Sequence, residues 1–312
     1  MVLLCALVFH FAFEQHLSLS LRASATRHVT GARGQPALHA MRPSRARAGY
    51  VLLNGTQKYQ GSSNRVEVVL HLETRNTYAW RHPFVTRELH DSAELPSPEG
   101  VARGVKFWRL EAPLSLCERA MYASSCPEVV RTLESSPIID GVQQPGQICE
   151  LMDGSAETWM LRYAGDSAAR LRQLPHLIRD VLTGLALMAR LGFIHMDVKP
   201  DNILYANNSD QLQWKLADLD YCRPLIGGTP RFFGAFYPPP PELCVEPADY
   251  DLFAAGVSFM LFAKGASFDE LARWRYPEVD ELVDMLGYFE PAALIRGLVY
   301  GPNRTSIAAS YL

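Results

Sequence analysis

The chain of 312 residues lacks several features that would assign it to a common class of protein. Its longest apolar runs, Val2–Phe13 and Leu252–Ala263, have about a dozen residues each, too few to cross a bilayer. Its six cysteines form no C-x-x-C pair and no His/Cys spacing of the kind that binds zinc. Its net charge of −3 gives no indication of nucleic-acid binding, so no nucleic-acid partner is expected.

The N-terminal region divides into two segments of different composition. The apolar run is followed by Ala23-Ser24-Ala25, an A-x-A cleavage pattern, so residues 1–25 are predicted to be a secretory signal peptide. The positively charged start typical of such signals is missing, and an ordinary disordered start is the alternative. Residues 26–49 contain five arginines among glycine, proline and serine, which predicts a basic disordered segment. This charge allows peripheral contact with an anionic membrane, although a solvated linker has the same composition.

The most informative stretch is His195–Asn202, with the sequence H-M-D-V-K-P-D-N. Its spacing, H-x-D-x-K-P-x-N, resembles the catalytic loop of protein kinases. The resemblance implies that Asp197 accepts the proton of a substrate hydroxyl and that Lys199 neutralises the migrating phosphoryl group. It also implies that Asn202 holds a magnesium ion. An ordinary polar loop between a helix and a strand would not require four such residues at this spacing.

A second motif lies sixteen residues after Asn202. Residues 203–205 and 212–217 have the composition of two strands joined by a polar turn. The second predicted strand leads into the sequence D-L-D, which stands where protein kinases carry D-F-G. Asp218 is therefore the expected second ligand of the magnesium that bridges the ATP phosphates.

The D-L-D sequence differs from the family pattern at its second and third positions. Leu219 can replace phenylalanine as an apolar plug. Asp220 replaces a glycine, which permits backbone geometry that other residues disfavour, although aspartate tolerates it better than most.

Three further segments resemble structural elements of the helical lobe of protein kinases. Residues 234–242 occupy the place of the segment that ends in A-P-E. Tyr250–Val257 resembles the start of the buried central helix, D-x-W-x-x-G-V, and residues 301–305 resemble the terminal D-P-x-x-R-P/T segment. By this resemblance Glu242 and Arg304 are expected to form a buried ion pair with a structural role.

The resemblance also indicates which lysine of the N-terminal lobe contacts the ATP phosphates. Residues 102–108 fit the third strand, which places Lys106 at the V-A-I-K lysine that contacts the ATP phosphates. A helix that opens at Pro113 then carries Glu118, the expected partner of Lys106. The spacing to the following H-P-N-I-V-K-like segment favours Glu118 over Glu128, and a solvated helix glutamate is the alternative.

Residues 159–164 resemble the fifth strand of protein kinases and the hinge between their two lobes. Leu161 and Tyr163 are accordingly the residues expected to contact the adenine ring. By contrast, residues 62–99 contain no glycine, so the G-x-G-x-x-G loop that covers the ATP phosphates is missing before Lys106. The predicted nucleotide roof is therefore atypical.

Five cysteines remain after the predicted leader. An odd number is no disulfide framework, but a secreted chain could close one bridge, and Cys222 with Cys244 is one hypothesis.

These motifs predict an α+β, bilobal protein kinase-like domain over residues 50–312. Its small β-rich N-lobe is expected at about residues 50–163 and its larger helical C-lobe at about 164–312. The leader, the missing glycine loop, D-L-D and H-M-D together resemble the secreted rhoptry-type kinases of apicomplexan parasites, nearest the with-no-Gly-loop branch. That resemblance implies secretion through a rhoptry or dense granule into the parasitophorous vacuole.

Two functional classes follow from the resemblance. One is an active serine/threonine kinase that uses ATP and Mg²⁺ on protein substrates, because every catalytic position carries a suitable residue and Lys199 is typical of serine/threonine kinases. The other is a pseudokinase that acts as a binding scaffold, favoured by the missing roof and by Asp220. Retention of both metal ligands favours the enzyme, because a scaffold has no physical need for them.

Overall fold

The structure is a computed structural model, and the residues that it describes all lie within the unit Gly49–Leu312. They are residues 49–60, 64–83, 116–124, 126–208, 211–225, 247–266 and 290–312.

The N-terminal half of this unit is built on a seven-stranded sheet with the order β4-β7-β3-β2-β1-β5-β6. Its strands are β1 (Tyr50–Gln60), β2 (Asn64–His71), β3 (Thr77–Pro83), β4 (Thr132–Ser135), β5 (Ile138–Ile139), β6 (Val142–Gln143) and β7 (Gln147–Cys149). All neighbouring strands are antiparallel except β1 and β5. Val69 and Ile148 are fully buried on one face, where they pack with Trp80 and Tyr50. This small core follows from the β-branched and aromatic residues of the strands.

Helix α1 (Leu116–Ser124) precedes β4 in the chain. It packs against a second and larger cluster of buried apolar side chains, most of which come from the helices. Cys117 and Met121 are buried and lie four residues apart, on one face of the helix.

The remaining elements form a mainly helical half. They are β8 (Gly154–Ser155), α2 (Ala156–Arg162), α3 (Ser167–Arg190), β9 (Phe193–Ile194), β10 (Ile203–Asn208), β11 (Gln211–Leu216), β12 (Arg223–Pro224), α4 (Pro247–Lys264), α5 (Glu290–Tyr300) and α6 (Arg304–Tyr311). Strands β8, β10 and β11 form one small sheet, and β9 pairs with β12.

Local sequence explains where the principal helices begin and end. The Asp166 side chain accepts the Ala169 N–H at 2.8 Å and caps α3. After α3, Gly192 has a φ of +82°, the left-handed conformation that glycine adopts without steric cost. From Leu252 onward helix α4 is mostly apolar, with Phe253, Phe259 and Phe262 fully buried, as expected of a central helix.

The α+β class with a β-rich and a helical half is confirmed. The predicted strand pair after Asn202 is confirmed as the β10–β11 hairpin, in which Ile203 lies opposite Leu216. The buried central helix is confirmed as α4. The predicted third strand at residues 102–108 lies outside the described residues. Among the described helices, none combines the length and the apolar composition that a bilayer crossing requires.

The prediction of a strand at residues 159–164 is wrong, because most of this segment belongs to helix α2. The Ser155 side chain accepts the Thr158 N–H, and the Thr158 hydroxyl accepts the Ser155 N–H, which together form a capping box. Trp159 and Met160 turn into the core. The apolar run had a helical rather than an extended period, and its length was too short to distinguish the two.

Candidate active site

A buried carboxylate on helix α4 holds the backbone of the loop between β9 and β10. Asp251 accepts the backbone N–H of His195 at 2.6 Å and that of Met196 at 2.8 Å. Burial raises the pKa of Asp251, opposed by nearby His195 and by these two hydrogen bonds. Met196 has a φ of +69°, a conformation that bulky residues rarely adopt, so the two bonds stabilise a strained backbone.

The His195 imidazole connects this loop to the end of β11. It is fully buried; its Nε2 lies 2.9 Å from the Ala217 carbonyl oxygen, and its Nδ1 accepts the Asp197 N–H at 3.3 Å. The Ala217 carbonyl oxygen can only accept, so Nε2 donates to it while Nδ1 accepts from the backbone. This hydrogen bond brings Ala217, the residue before Asp218, next to His195, the residue before Met196.

Asp197, Lys199 and Asn202, which were predicted to act together, are brought together by the structure. The Asp197 Oδ2 accepts Lys199 Nζ at 2.9 Å and Asn202 Nδ2 at 2.8 Å. Asn202 Nδ2 also donates to the Asp197 carbonyl oxygen at 2.8 Å. Burial alone would lower the pKa of Lys199, but the carboxylates of Asp197, Asp218 and Asp201 raise it, so the ammonium stays charged.

The other oxygen of the Asp197 carboxylate, Oδ1, has no hydrogen-bond partner among the described residues. The Asp197 side chain is only 1% exposed, so Oδ1 is also shielded from water. A carboxylate fixed through one oxygen and open at the other is suited to accept a proton from a group that binds beside it.

Asp218 lies two residues after the end of β11 and has a φ of +63°, in the left-handed region. The Ala217 N–H donates to the Asn202 carbonyl oxygen at 2.8 Å, which ties the backbone before Asp218 to the predicted metal ligand Asn202. Leu219 packs against the main core, which agrees with its predicted role as an apolar plug. Asp220 lies in a 3₁₀ turn and has no positive φ, so this position does not need a glycine.

An arginine that the sequence interpretation missed occupies the centre of the site. Arg81 on β3 donates from Nη2 to Asp218 Oδ1 at 2.8 Å and to Asp220 Oδ2 at 2.7 Å, and from Nη1 to Asp220 Oδ1 at 3.1 Å. Its side chain is 14% exposed and that of Asp220 is 8% exposed. Burial would lower the pKa of Arg81, but the two carboxylates raise it well above its usual range.

Glu118, the predicted partner of the strand cation, contacts the same part of the sheet. Arg81 lies opposite Gln147 in the β3–β7 pair. The Gln147 side chain donates to Glu118 Oε1 at 2.9 Å. Lys106 lies outside the described residues, so its predicted role stays a prediction.

The sequence did contain a signal for Arg81. Residues Tyr78-Ala79-Trp80-Arg81 follow the V-A-I-K pattern with arginine in place of lysine. The family pattern has a lysine at this position, so the sequence favoured Lys106 over Arg81.

The two residues predicted to contact adenine lie on and at the end of a helix, and their role stays a prediction. Leu161 lies on α2 with 52% of its surface exposed, and Tyr163 is the C-cap residue of that helix. Neither lies on the connection that leaves the N-terminal sheet. That connection is Glu150–Asp153, between β7 and β8, and Glu150 is held there by Lys215, whose Nζ lies 2.7 Å from its carboxylate.

The residues present fit a magnesium ion that is held together with phosphates. Among the described residues no group of three or more His, Cys, Asp and Glu side chains could form a metal centre. Magnesium in nucleotide sites is usually held by one or two protein oxygens, together with phosphates and water. The Asp218 carboxylate and the Asn202 amide oxygen match that requirement, since the Asn202 nitrogen is already bonded to Asp197.

The hypothesis of a Cys222–Cys244 bridge is wrong. Cys222 pairs with Cys117, which joins the segment after Asp218 to helix α1 across a sequence separation of 105 residues. Helix α1 places Cys117 beside this segment, a juxtaposition that no sequence spacing reveals. Cys126 and Cys149 are buried free thiols.

Arg304 is fully buried, as predicted. Its Nε and Nη2 donate to the Leu298 and Val299 carbonyl oxygens at 2.6 and 3.0 Å. Glu242 lies outside the described residues, so the predicted ion pair with Arg304 stays a prediction.

Comparison with known proteins agrees with this geometry. A family model described as the protein kinase domain matches residues 120–272. Over these residues, slightly less than half of its length, the chain is similar to the protein kinase domain. MAP kinase-activated protein kinase 2 of Oryctolagus cuniculus is 24% identical over 149 residues, which cover 46% of this chain and 41% of that protein. The human protein of the same name is 24% identical over 149 residues, covering 46% and 37%.

A probable protein kinase of Dictyostelium discoideum is 25% identical over 96 residues, which cover 30% of this chain and 26% of that protein. The chain thus spans less than half the length of these curated relatives. These matches support a place in the protein kinase superfamily.

Proposed function

We propose that this chain is a serine/threonine protein kinase that transfers the γ-phosphate of ATP to hydroxyl groups of protein substrates. The observation that carries the proposal is the state of Asp197, with Oδ2 bonded to Lys199 and Asn202 and Oδ1 buried without a partner among the described residues. A buried acceptor left unsatisfied costs about 1–3 kcal/mol. A substrate hydroxyl that donates to Oδ1 would remove that cost.

Each residue of the loop then has a defined task. Asn202 and Lys199 hold the Asp197 carboxylate in one orientation, so Oδ1 accepts the proton of the substrate hydroxyl as that oxygen attacks. Lys199, charged because its pKa is raised, stabilises negative charge beside Asp197. Bound Mg²⁺–ATP supplies the phosphoryl group and the metal charge, with Asn202 and Asp218 as the protein ligands.

Substrate class and location belong to the same proposal. Lys199 lies two residues after Asp197, where the sequence resembles serine/threonine rather than tyrosine kinases. This resemblance supports serine and threonine as the phosphate acceptors. The leader at residues 1–25 supports secretion, and the resemblance to rhoptry-type kinases supports the parasitophorous vacuole. Glu150–Asp153, which follows β7, is the proposed contact for adenine in place of Leu161 and Tyr163.

A phosphate-transfer assay tests the proposal on the purified full chain, with radiolabelled ATP and a protein substrate rich in serine, threonine and tyrosine. Asp197→Asn should lower transfer by about 10²–10⁴-fold, the usual contribution of a general base. Asp201→Asn makes the same chemical change on the same loop and should leave transfer nearly unchanged. Undiminished transfer by Asp197→Asn would overturn the proposal, and phosphotyrosine as the main product would overturn the serine/threonine assignment.

A scaffold without catalytic activity is the second candidate, and one observation favours it. Arg81 donates to the Asp218 oxygen that a magnesium ion would need. If this pair is permanent, the wild-type chain should show neither magnesium-dependent ATP binding nor transfer above the level of Asp197→Asn.

A further inference from the structure

Three triplets of the sequence match the acceptor pattern for N-linked glycans, in which asparagine is followed two residues later by serine or threonine. They are Asn54-Gly55-Thr56, Asn207-Asn208-Ser209 and Asn303-Arg304-Thr305. The proposed kinase reaction uses none of them. Such short patterns arise often by chance, so the surroundings of the asparagine decide whether it can carry a glycan. Of the three triplets, only the one at residues 303–305 has all of its side chains described by the structure.

Asn303 lies on the surface, in the turn between α5 and α6, and its side chain is exposed to solvent. The next residue, Arg304, is fully buried and donates to the Leu298 and Val299 carbonyl oxygens near the end of α5. The buried arginine therefore fixes the backbone of the turn, while the side chain before it stays in water. A glycan is bulky and strongly hydrated, so an asparagine that carries one must be exposed in the folded protein.

The side chain of Asn303 also has no capping role in the helix that follows it. Asn303 is the N-cap residue of α6, a position where the side-chain oxygen of asparagine commonly accepts a backbone N–H. Here the side chain makes no such bond. The helix uses the backbone of Asn303 instead, whose carbonyl oxygen accepts the Ile307 N–H at 3.1 Å. Replacement of one amide hydrogen by a sugar therefore costs α6 no capping bond.

The Cys117–Cys222 bridge is a second, independent feature that fits this modification. Disulfides form and persist in oxidising environments such as the lumen of the secretory pathway. N-linked glycans are attached to proteins that pass through that same lumen. The bridge and the exposed triplet therefore favour the same route for the chain.

We propose that Asn303 is the attachment site of an N-linked glycan. This inference rests on the proposed secretion of the chain, and it adds no step to the kinase reaction. In the transfer, the side-chain nitrogen of Asn303 forms a bond to the anomeric carbon of a lipid-linked oligosaccharide. The bond between that carbon and the lipid pyrophosphate breaks, the nitrogen loses one proton, and the lipid pyrophosphate leaves. The Thr305 hydroxyl is the other group that the acceptor pattern requires.

Site-specific mass spectrometry tests the inference on the full chain, expressed in a eukaryotic cell line that secretes glycoproteins. Treatment with a peptide N-glycosidase in heavy-oxygen water converts a glycosylated asparagine into a labelled aspartate. Position 303 should acquire the label, and a sample incubated without the glycosidase should not. Because the label is read at this position alone, glycans on other asparagines do not affect the result.

Two variants of Thr305 form a matched pair. Thr305→Val keeps the shape of the side chain but removes the hydroxyl, whereas Thr305→Ser keeps the hydroxyl. The label at position 303 should be lost from Thr305→Val and retained in Thr305→Ser. Retention of the label in Thr305→Val would overturn the inference, because the label would then not depend on the acceptor pattern. If a variant does not fold, the wild-type result decides the inference alone.

A second version of the full chain, with the signal peptide of a known secreted protein fused in front of it, separates the possible failures. A label in this version alone supports the site at Asn303 and refutes the proposed leader at residues 1–25. A labelled chain that transfers no phosphate supports the inference and refutes the kinase proposal. An unlabelled position 303 in both versions overturns the inference and leaves the kinase proposal intact.

Discussion

The carboxylate of Asp251 accepts the backbone N–H of His195 at 2.6 Å, across 56 residues of sequence. Its other oxygen accepts the N–H of Met196. The central helix α4 therefore determines the backbone path of the loop that carries Asp197. A buried side chain that accepts two adjacent backbone donors does so best as a carboxylate, because an amide offers only one acceptor atom.

Asp251→Asn should destabilise the protein by about 1–3 kcal/mol, since the amide nitrogen would face one of the two N–H donors. It should also lower phosphate transfer, because the loop loses its fixed path. Urea unfolding measures the first effect and the transfer assay the second. Asp166→Asn is the matched control, because asparagine caps a helix as well as aspartate and the stability should stay within a few tenths of a kcal/mol. Equal effects of the two variants would contradict this prediction.

The Cys117–Cys222 bridge should contribute strongly to stability, because it closes a loop of 105 residues. Loop-closure entropy alone predicts about 4–5 kcal/mol for such a loop, and measured values are commonly about 2–4 kcal/mol. Urea unfolding of the wild type should shift to lower urea concentration when a reductant is added. Unfolding of Cys117→Ser should not respond to reductant, whereas the buried free thiol variant Cys126→Ser should respond as the wild type does. A wild type insensitive to reductant would refute the bridge.

The sequence predicted the proximity of Asp197, Lys199 and Asn202 but not that of Arg81 and Asp218. The loop from His195 to Asn202 is contiguous in sequence, so spacing alone brings its residues together. Arg81 reaches Asp218 only through the folding of a sheet whose third strand precedes helix α1 by a long connection. The family pattern has a lysine in this place, so Lys106 matched it by residue type and Arg81 did not.

Two predictions, the strand at residues 159–164 and the Cys222–Cys244 bridge, were wrong for the same physical reason. The segment Trp159–Ala164 is apolar enough for a strand, and only the Ser155–Thr158 capping box decides for a helix. Cys222 has a neighbour in Cys117 because α1 packs beside the D-L-D segment, which is a long-range contact. Both outcomes depend on contacts with residues that lie outside the segment whose pattern led to the prediction.

Met196 stands where the family's H-R-D sequence carries an arginine that pairs with an activation-loop phosphate, and it is 6% exposed. Methionine cannot pair with phosphate, so activity should not depend on phosphorylation of the segment after Asp218. Thr229→Ala should leave transfer within a few-fold of the wild type, measured before and after phosphatase treatment. A loss of activity that an acidic residue at position 229 restores would contradict this prediction.

ATP binding should depend steeply on magnesium. Without the ion, the nucleotide phosphates face the carboxylates of Asp218 and Asp220, both of which pair with Arg81. A magnesium ion held by Asp218 would reverse the sign of the charge at that carboxylate and attract the phosphates. We expect at least a tenfold difference in affinity, about 1.4 kcal/mol, between titrations with magnesium and with a chelator.

Asp218→Ala separates the metal from other causes of this difference. The variant should bind ATP with the same affinity in magnesium and in chelator, because it has lost the carboxylate that holds the ion. Asp201→Asn, a control with the same loss of charge, should retain the wild-type dependence. Equal wild-type affinity in both conditions would show that another group holds the phosphates. Absence of wild-type binding in both would favour the scaffold, since the Arg81–Asp218 pair would then be permanent.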